Sequence, residues 1–181
     1  MVEHVVLVDK NNTVLGTAPK ATVHTSDTPL HRAFSVFLFN DKNELLLQQR
    51  ALSKKTWPGI WSNSCCGHPQ LHEKTADAAS RRLQQELGIE ISADDLWCAL
   101  PDFWYRAVLD GVVEHEICPV FIARYNGVPK LNPDEVEATR WIAWDDFLST
   151  SPGTFSEWCE KEAKLLSESP EFITWLDAHR A

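Results

Sequence analysis

A short helix with sharp signals at both ends constrains this chain more than any other feature. Thr75 can cap its start, Asp77 puts a negative charge in the first turn, and Gly88 offers a C-terminal stop. Between them Ala76, Ala79, Leu83 and Leu87 recur at helical spacing and form one apolar stripe. Such a helix must lie against something, and β-rich segments flank it. The residues around it keep defined intervals: Gly67, five residues, Glu73, seven residues, Arg81, then Glu86, Gly88 and Ile89. Glu86 follows Arg82 by four residues on the flank of the stripe, where it can point into a cleft.

Residues 4–9 and 14–18 read as strands around the turn Lys10-Asn11-Asn12, and residues 34–39 and 44–49 as a second hairpin. The Trp/Pro/Gly-rich stretch 54–63 is too irregular for a regular element. Long β segments are expected at residues 96–108 and 112–124, and a last strand at 137–144. From Asp145 onward the chain reads as helical, with breaks near Pro152 and Pro170. No linker, repeat or low-complexity segment divides it. Strands first, one helix inserted, then helices at the end give an α+β fold: a mixed sheet with flanking helices, one domain over residues 1–181.

With 181 residues, 44% of them hydrophobic, one domain has room for a sizeable core. A net charge of −9 without a basic stripe argues against a nucleic-acid partner. No apolar run approaches the roughly 20 residues of a membrane span. No basic segment precedes a hydrophobic stretch near Val2-Glu3-His4, so the expected location is cytoplasmic. The five cysteines lack the spacing of a disulfide framework and read as free thiols. An anionic small molecule would need local cations and metal, because the overall field opposes it. Eight tryptophans fit either an aromatic-lined pocket or a Trp-rich core.

Glu114 and Glu116 are two apart in a strand and share a face with Val112 and Cys118, while His115 and Ile117 take the other. Two adjacent carboxylates either face solvent or need a cation between them. The strand is otherwise apolar, which favours burial and a partner. His24, His31 and His68 could join them in a three-histidine, two-carboxylate site suited to Mn, Zn or Fe rather than Ca. By spacing alone the signal is weak, since scattered histidines are usually surface or core residues. Cys66, beside His68, could take part in proton transfer, whereas Cys65 reads as a small buried hydrophobe. Lys20, Arg50, Lys54, Lys55 and Arg82 could clasp a phosphate, and of these only Arg82 has a positional argument.

The interval pattern from Gly67 to Ile89 resembles a Nudix box, with Arg82 and Gln85 where hydrolases carry glutamates. The segments Asn63-Ser64-Cys65-Cys66-Gly67-His68-Pro69, Pro101-Asp102-Phe103 with Tyr105-Arg106, and Glu114-His115-Glu116-Ile117-Cys118-Pro119-Val120 resemble type 1 isopentenyl-diphosphate isomerase. So do Arg50-Ala51-Leu52-Ser53-Lys54-Lys55 and Trp57-Pro58-Gly59, and the likeness runs from about His4 to Trp158. It implies a Nudix-like α+β fold and interconversion of isopentenyl and dimethylallyl diphosphate. By residue, it implies Cys66 and Glu116 as catalytic acid and base, with Tyr105 assisting. It implies Lys20, Arg50, Lys54 and Arg82 on the diphosphate and Trp158 in the pocket. His24, His31, His68, Glu114 and Glu116 are implied as ligands of Mn²⁺ or Zn²⁺, and Glu86 with the Cys66 backbone carbonyl as contacts of Mg²⁺. The implied partner is a small diphosphate substrate, with no membrane or nucleic acid, bound by a monomer or weak homodimer.

The chain departs from the family pattern at two places. Glu157 stands where proline is common before the pocket tryptophan, which bears on the rigidity of that loop. His115 is an unusual occupant between the two glutamates, and alternation should turn it away from the site. Two rival readings are a Nudix diphosphate hydrolase and a catalytically silent metal-binding scaffold. The first predicts a full set of glutamates on the helix; the second predicts that Cys66 can be replaced without effect.

Overall fold

The segment Phe34-Ser35-Val36-Phe37-Leu38-Phe39 is apolar on both faces, which suits only a strand covered on both sides. The computed structural model describes residues 2–178 and buries every residue of that strand. In chain order the elements are β1 (His4–Val8), β2 (Val14–Pro19), the single turn α1 (Lys20–Val23), β3 (His31–Arg32), β4 (Phe34–Phe39), β5 (Glu44–Arg50), β6 (Trp61–Ser62) and β7 (Cys65–Gly67). Helix α2 (Thr75–Leu87) follows, then β8 (Trp97–Leu100), β9 (Trp104–Leu109), β10 (Val112–Ile117), β11 (Val120–Arg124) and β12 (Val136–Ala143). Helices α3 (Trp144–Ser149), α4 (Glu157–Glu168) and α5 (Pro170–Ala178) close the described chain. The helical reading of residues 179–181 lies outside the described residues. No helix among the described residues is long and apolar enough to cross a membrane.

The strands form two sheets, ordered β2-β1-β3-β10-β9 and β12-β5-β4-β11-β8, with β6 on β5 and β7 on β4. Both are mixed, because β10 runs parallel to β3 and β11 parallel to β4. Alternation sorts the core of the second sheet. Phe34, Val36 and Leu38 of β4 and Leu46 of β5 meet Ala78, Ala79, Leu83 and Leu87 of α2. Phe37, Phe39, Leu45 and Leu47 face the other way, onto Trp144, Phe147, Trp158, Leu166 and Phe172 of the C-terminal helices. Leu83 and Leu87 are fully buried, which together stabilises the docking of α2 by at most about 3–6 kcal/mol.

Several sequence expectations are corrected. Lys74, not Thr75, precedes α2: its carbonyl accepts the Ala78 N–H, and no side chain caps the helix. The far end is as expected, with Gly88 left-handed (φ 61°) and the Gly88 and Ile89 N–H groups bonded back to Gln84 and Leu83. The two long β segments are each broken, at residues 101–103 and at Cys118-Pro119. Prolines 101 and 119 lack the N–H a ladder needs, and the chain uses those points to change sheets. The short strands β3, β6 and β7 and the turn α1 carry too few residues to leave a periodic signature.

Those breaks place the functional region. Three connections pass from one sheet to the other along a common seam: Ala33 between β3 and β4, residues 101–103 between β8 and β9, and Cys118-Pro119 between β10 and β11. Backbone bonds stitch the seam, from Ala33 N–H to Ile117 O (2.9 Å), Ser35 N–H to Pro119 O (3.1 Å) and Cys118 N–H to Phe103 O (2.8 Å).

Candidate active site

Strand register builds the centre of the site. Glu116 of β10 lies opposite His31 on β3 and opposite Tyr105 on β9, so three polar side chains form a row across one sheet face. The Tyr105 hydroxyl donates to Glu116 Oε2 at 2.6 Å. Glu116 Oε1 lies 3.2 Å from His31 Nε2 and 2.9 Å from His68 Nε2. Glu114 shares the face by alternation and is 6% exposed, against 5% for Glu116, which rejects the solvated reading of the pair. His115 turns away and is half-buried along a separate cleft with Trp104 and Ile117, as expected. His24 arrives at the C-terminal end of α1 and His68 directly after β7.

One donor atom from each of His24, His31, His68, Glu114 and Glu116 can lie within 4.8 Å of all the others. Ligands held about 2.1 Å from a common ion would be roughly 3–4 Å apart, so the group is of the right size. Two observations fit a metal there. His24 Nε2 and Glu114 Oε2 are 3.1 Å apart, yet both are buried without a hydrogen-bond partner, as atoms aimed at a shared point would be. The His31 Nδ1–H donates to the Pro29 carbonyl at 2.9 Å, which turns Nε2 into the cluster. Burial opposes charging His68 and brings it down to about 4, leaving a neutral imidazole. Burial also opposes charge on His31, but the hydrogen bond and charge of Glu116 outweigh it and raise its proton affinity. Burial alone would favour protonating Glu116; the bonds from His31 and His68 prevail and hold it well below the usual carboxylate range.

Cys66 and Cys65 are separated by the pleat of β7. Cys65 joins the core under α2, whereas Cys66 pairs in register with Ser35 and lines the cavity. The Cys66 Sγ–H donates to Asn63 Oδ1 at 3.2 Å, and Ser35 Oγ is 3.6 Å away. Burial pushes the thiol up to about 12. Gly67 has to be glycine: a Cβ there would sit 2.9 Å from Phe34 Cζ and 3.1 Å from Arg82 Cγ. The stem of Arg82 therefore passes directly beneath the strand that carries the thiol.

Cys66, Glu116, Glu114, His24, His68 and Tyr105 line a cavity of about 430 Å³, together with Lys20, Arg50, Lys54, Lys55, Arg82 and Trp158. The expected phosphate cations thus do converge, and each is held by the protein itself. Lys20 pairs with Glu3 (3.0 Å), Lys54 with Glu135, and Arg82 with Glu86 (2.6 Å) and Glu135 (3.2 Å). Arg50 donates from Nη2 to the Thr56 carbonyl at 2.9 Å. Glu86 differs from the metal cluster: Oε1 accepts from Arg82 and Oε2 from Gln48 at 2.8 Å, so neither oxygen is free.

Trp158 closes the aromatic wall. Its ring lies 5.6 Å from Tyr105, nearly parallel, and 5.4 Å from Trp57, edge-on. Trp57 has a left-handed backbone (φ 47°), a conformation that costs a bulky residue about 1–3 kcal/mol and clusters at functional walls. Glu157, the departure from the family pattern, begins α4 and pairs with Lys161 at 2.7 Å. A carboxylate in the first turn suits the helix dipole. The loop ahead of it is tied independently, by Ser156 N–H to Trp61 O (2.9 Å) and Ser156 Oγ to Ser62 Oγ (2.7 Å).

Sequence reading missed Ser35, Asn63, Glu135 and Glu162. Glu162 alone left a signal, since it falls on the apolar stripe of α4 with Trp158, Cys159, Ala163 and Leu166. Ser35 was equally a polar residue in an apolar strand, but such a small hydroxyl carries little weight.

The chain matches the NUDIX domain over residues 29–163. It is 49% identical over 95% of its length to an isopentenyl-diphosphate Delta-isomerase of Frankia alni, of which it covers 90%. It is 51% identical to the isomerase of that name from Paenarthrobacter aurescens, covering 92% of each chain. With the one from Shigella boydii serotype 18 the identity is 48%, over 91% of this chain and 95% of the relative. Among solved structures, DR0079 of Deinococcus radiodurans superposes with a TM-score of 0.70 at 20% identity, over 90% of this chain and 98% of the other. A MutT protein of Methanosarcina mazei Go1 gives 0.64 at 18%, over 77% and 94%. At those identities the two structures speak for the fold alone.

Proposed function

Since the chain belongs to the isopentenyl-diphosphate Delta-isomerases within the Nudix family, it is an isomerase of isopentenyl diphosphate, and we propose that Cys66 and Glu116 are the acid–base pair that shifts its double bond to give dimethylallyl diphosphate. The observation that carries this reading is their meeting in one cavity. A thiol from one sheet and a carboxylate from the other face the same space, with cations at its edge.

Moving an unactivated double bond by one position requires a proton added at one carbon and another removed nearby, with tertiary carbocation character between. Two groups from different walls can do this, one donating and one accepting, and the return reaction exchanges their roles. Tyr105 steadies Glu116 through its hydroxyl. The face of Trp158 offers the developing cation roughly 1–2 kcal/mol in a dry pocket. The aromatic wall keeps out water that would trap the cation. Lys20, Arg50, Lys54 and Arg82 hold the diphosphate, which must displace Glu3 and Glu135 from their present pairings.

His24, His31, His68, Glu114 and Glu116 are the proposed holders of Mn²⁺ or Zn²⁺, whose positive charge lets two buried carboxylates stand side by side. Glu86 and the Cys66 backbone carbonyl are the proposed contacts for a Mg²⁺ shared with the diphosphate, which requires Glu86 to give up a bond to Arg82 or Gln48. The reading extends to one domain over residues 1–181, working in the cytoplasm as a monomer or weak homodimer without nucleic-acid or membrane partners. The net charge of −9 supports the exclusion of nucleic acid. A Nudix hydrolase is less supported, because Arg82 and Gln85 occupy positions where its glutamates would stand.

Incubation with Mg²⁺ and isopentenyl diphosphate tests the reaction class: dimethylallyl diphosphate should accumulate without release of phosphate, and phosphate release would revive the hydrolase. Stripping metal with a chelator should abolish turnover and lower the melting temperature, since a ligand at 100 times its Kd adds about 2.7 kcal/mol to stability. Mn²⁺ or Zn²⁺ should restore both, and metal analysis of the protein as purified checks the assignment. Lys54→Ala should raise KM about tenfold with little change in kcat, as loss of one charge-assisted bond of about 1.5 kcal/mol predicts. Steady-state kinetics decides this, and an unchanged KM removes Lys54 from the diphosphate site.

A further inference from the structure

Helix α4 turns a glutamate into the core. Glu162 lies on the stripe with Trp158, Cys159, Ala163 and Leu166 and is 0% exposed. No ion pair among the described residues includes it, and its Oε2 has no hydrogen-bond partner. Its Oε1 is 3.9 Å from Cys118 Sγ. Cys118 Sγ is 3.5 Å from Ser35 Oγ, which in turn is 3.6 Å from Cys66 Sγ. A continuous polar file therefore runs from Glu162 to the back of the cavity thiol, through atoms that otherwise sit in apolar core.

A carboxylate at the end of that file would be desolvated and uncompensated, whereas a carboxylic acid carries a hydrogen it can donate. Burial pushes the Glu162 carboxyl well above its ordinary range, in keeping with the acid form. The Ser35 hydroxyl has one hydrogen and two sulfur neighbours that can accept it, Cys66 and Cys118, and Cys118 in turn borders Glu162. An ionised Glu162 would hold the Cys118 hydrogen and leave that sulfur as a rival acceptor for the Ser35 hydrogen. A donor at position 162 leaves it free to turn toward the Cys66 sulfur.

We propose that Glu162 is a positioning residue of the reaction, acting through Cys118 and Ser35 to direct a hydroxyl hydrogen onto the Cys66 sulfur as the thiol proton leaves and returns. This rests on the reading of Cys66 as an acid–base group. Glu162 touches no substrate and forms no bond; it sets the direction of a hydrogen bond behind the reacting atom.

Two substitutions of nearly equal length separate this role from packing. Glu162→Met removes every donor, and Glu162→Gln keeps one. In the metal-loaded enzyme, Glu162→Met is expected to lose about tenfold in kcat with KM within about twofold, while Glu162→Gln stays within about threefold of the parent. Rescue by glutamine is the signature a filler of space would not give. A Glu162→Met kcat within threefold of the parent, or Glu162→Gln as slow as Glu162→Met, overturns the proposal. Should Glu162→Met not fold, Ser35→Ala reads the same file. It should lose about tenfold in kcat with KM within about twofold; a Ser35→Ala kcat within threefold of the parent overturns the proposal. If the parent turns over and Cys66→Ala does not, the role of Cys66 stands whatever the Glu162 variants do.

Discussion

Glu116→Gln is expected to lower kcat for isopentenyl diphosphate by about 10³–10⁴-fold, the scale of an acid–base group lost from a proton-transfer step. The substitution preserves shape, so the loss reports chemistry. It removes the group that accepts the proton and alters the acceptor pattern around it. In the parent, Oε1 sits against two imidazoles and Oε2 accepts from the Tyr105 hydroxyl. An amide offers one acceptor and one donor, so one of those partners must turn or lose its bond. Metal content and melting temperature belong in the same measurement. A variant that keeps its metal and its fold but not its turnover assigns the loss to proton transfer. Turnover within tenfold of the parent would remove Glu116 from the acid–base role.

Cys66→Ala is expected to lower kcat by about 10³-fold or more, with the fold retained. The side chain is half-buried at a cavity wall, so its removal enlarges existing space rather than opening a void in packed core. The neighbouring thiol gives the contrast. Cys65 is 1% exposed in the core beneath α2, and Cys65→Ala should cost about 1 kcal/mol of stability and leave kcat nearly unchanged. Paired melting curves and rate measurements on the two variants test the assignment. If Cys65→Ala were the inactive variant, or Cys66→Ala turned over normally, the thiol role would be lost, and the silent-scaffold reading would gain from the second result.

What could be read before the structure was local. The α2 stop at Gly88, the shared face of Glu114 and Glu116 and the outward turn of His115 all follow from periods of 3.6 and 2.0 acting within a few residues. The contrast between Cys65 and Cys66 was read from the place of Cys66 beside His68, and the pleat of β7 that separates them is visible only in the structure. What could not be read depends on the seam between the sheets. Residues 96–124 look like two long strands because the first is rich in aromatic and the second in β-branched residues; only pairing partners far away in sequence decide that each half joins a different sheet. The gathering of His24, His31 and His68 around Glu116 comes from that crossing, so spacing left it open and only the resemblance implied it. Glu135 was invisible for a further reason. It sits in a polar loop and acquires its role when the loop after β5 and helix α2 bring Lys54 and Arg82 to it.

The central claim is that this site moves protons across a five-carbon diphosphate without cutting it, and deuterium reports on that most directly. The metal-loaded enzyme, Mg²⁺ and isopentenyl diphosphate are incubated in deuterated water and the products followed by NMR. The account predicts dimethylallyl diphosphate carrying deuterium at the carbon that was protonated, with the diphosphate intact and with neither product nor label in Cys66→Ala or Glu116→Gln. Unlabelled, unconverted substrate with the parent enzyme would contradict it.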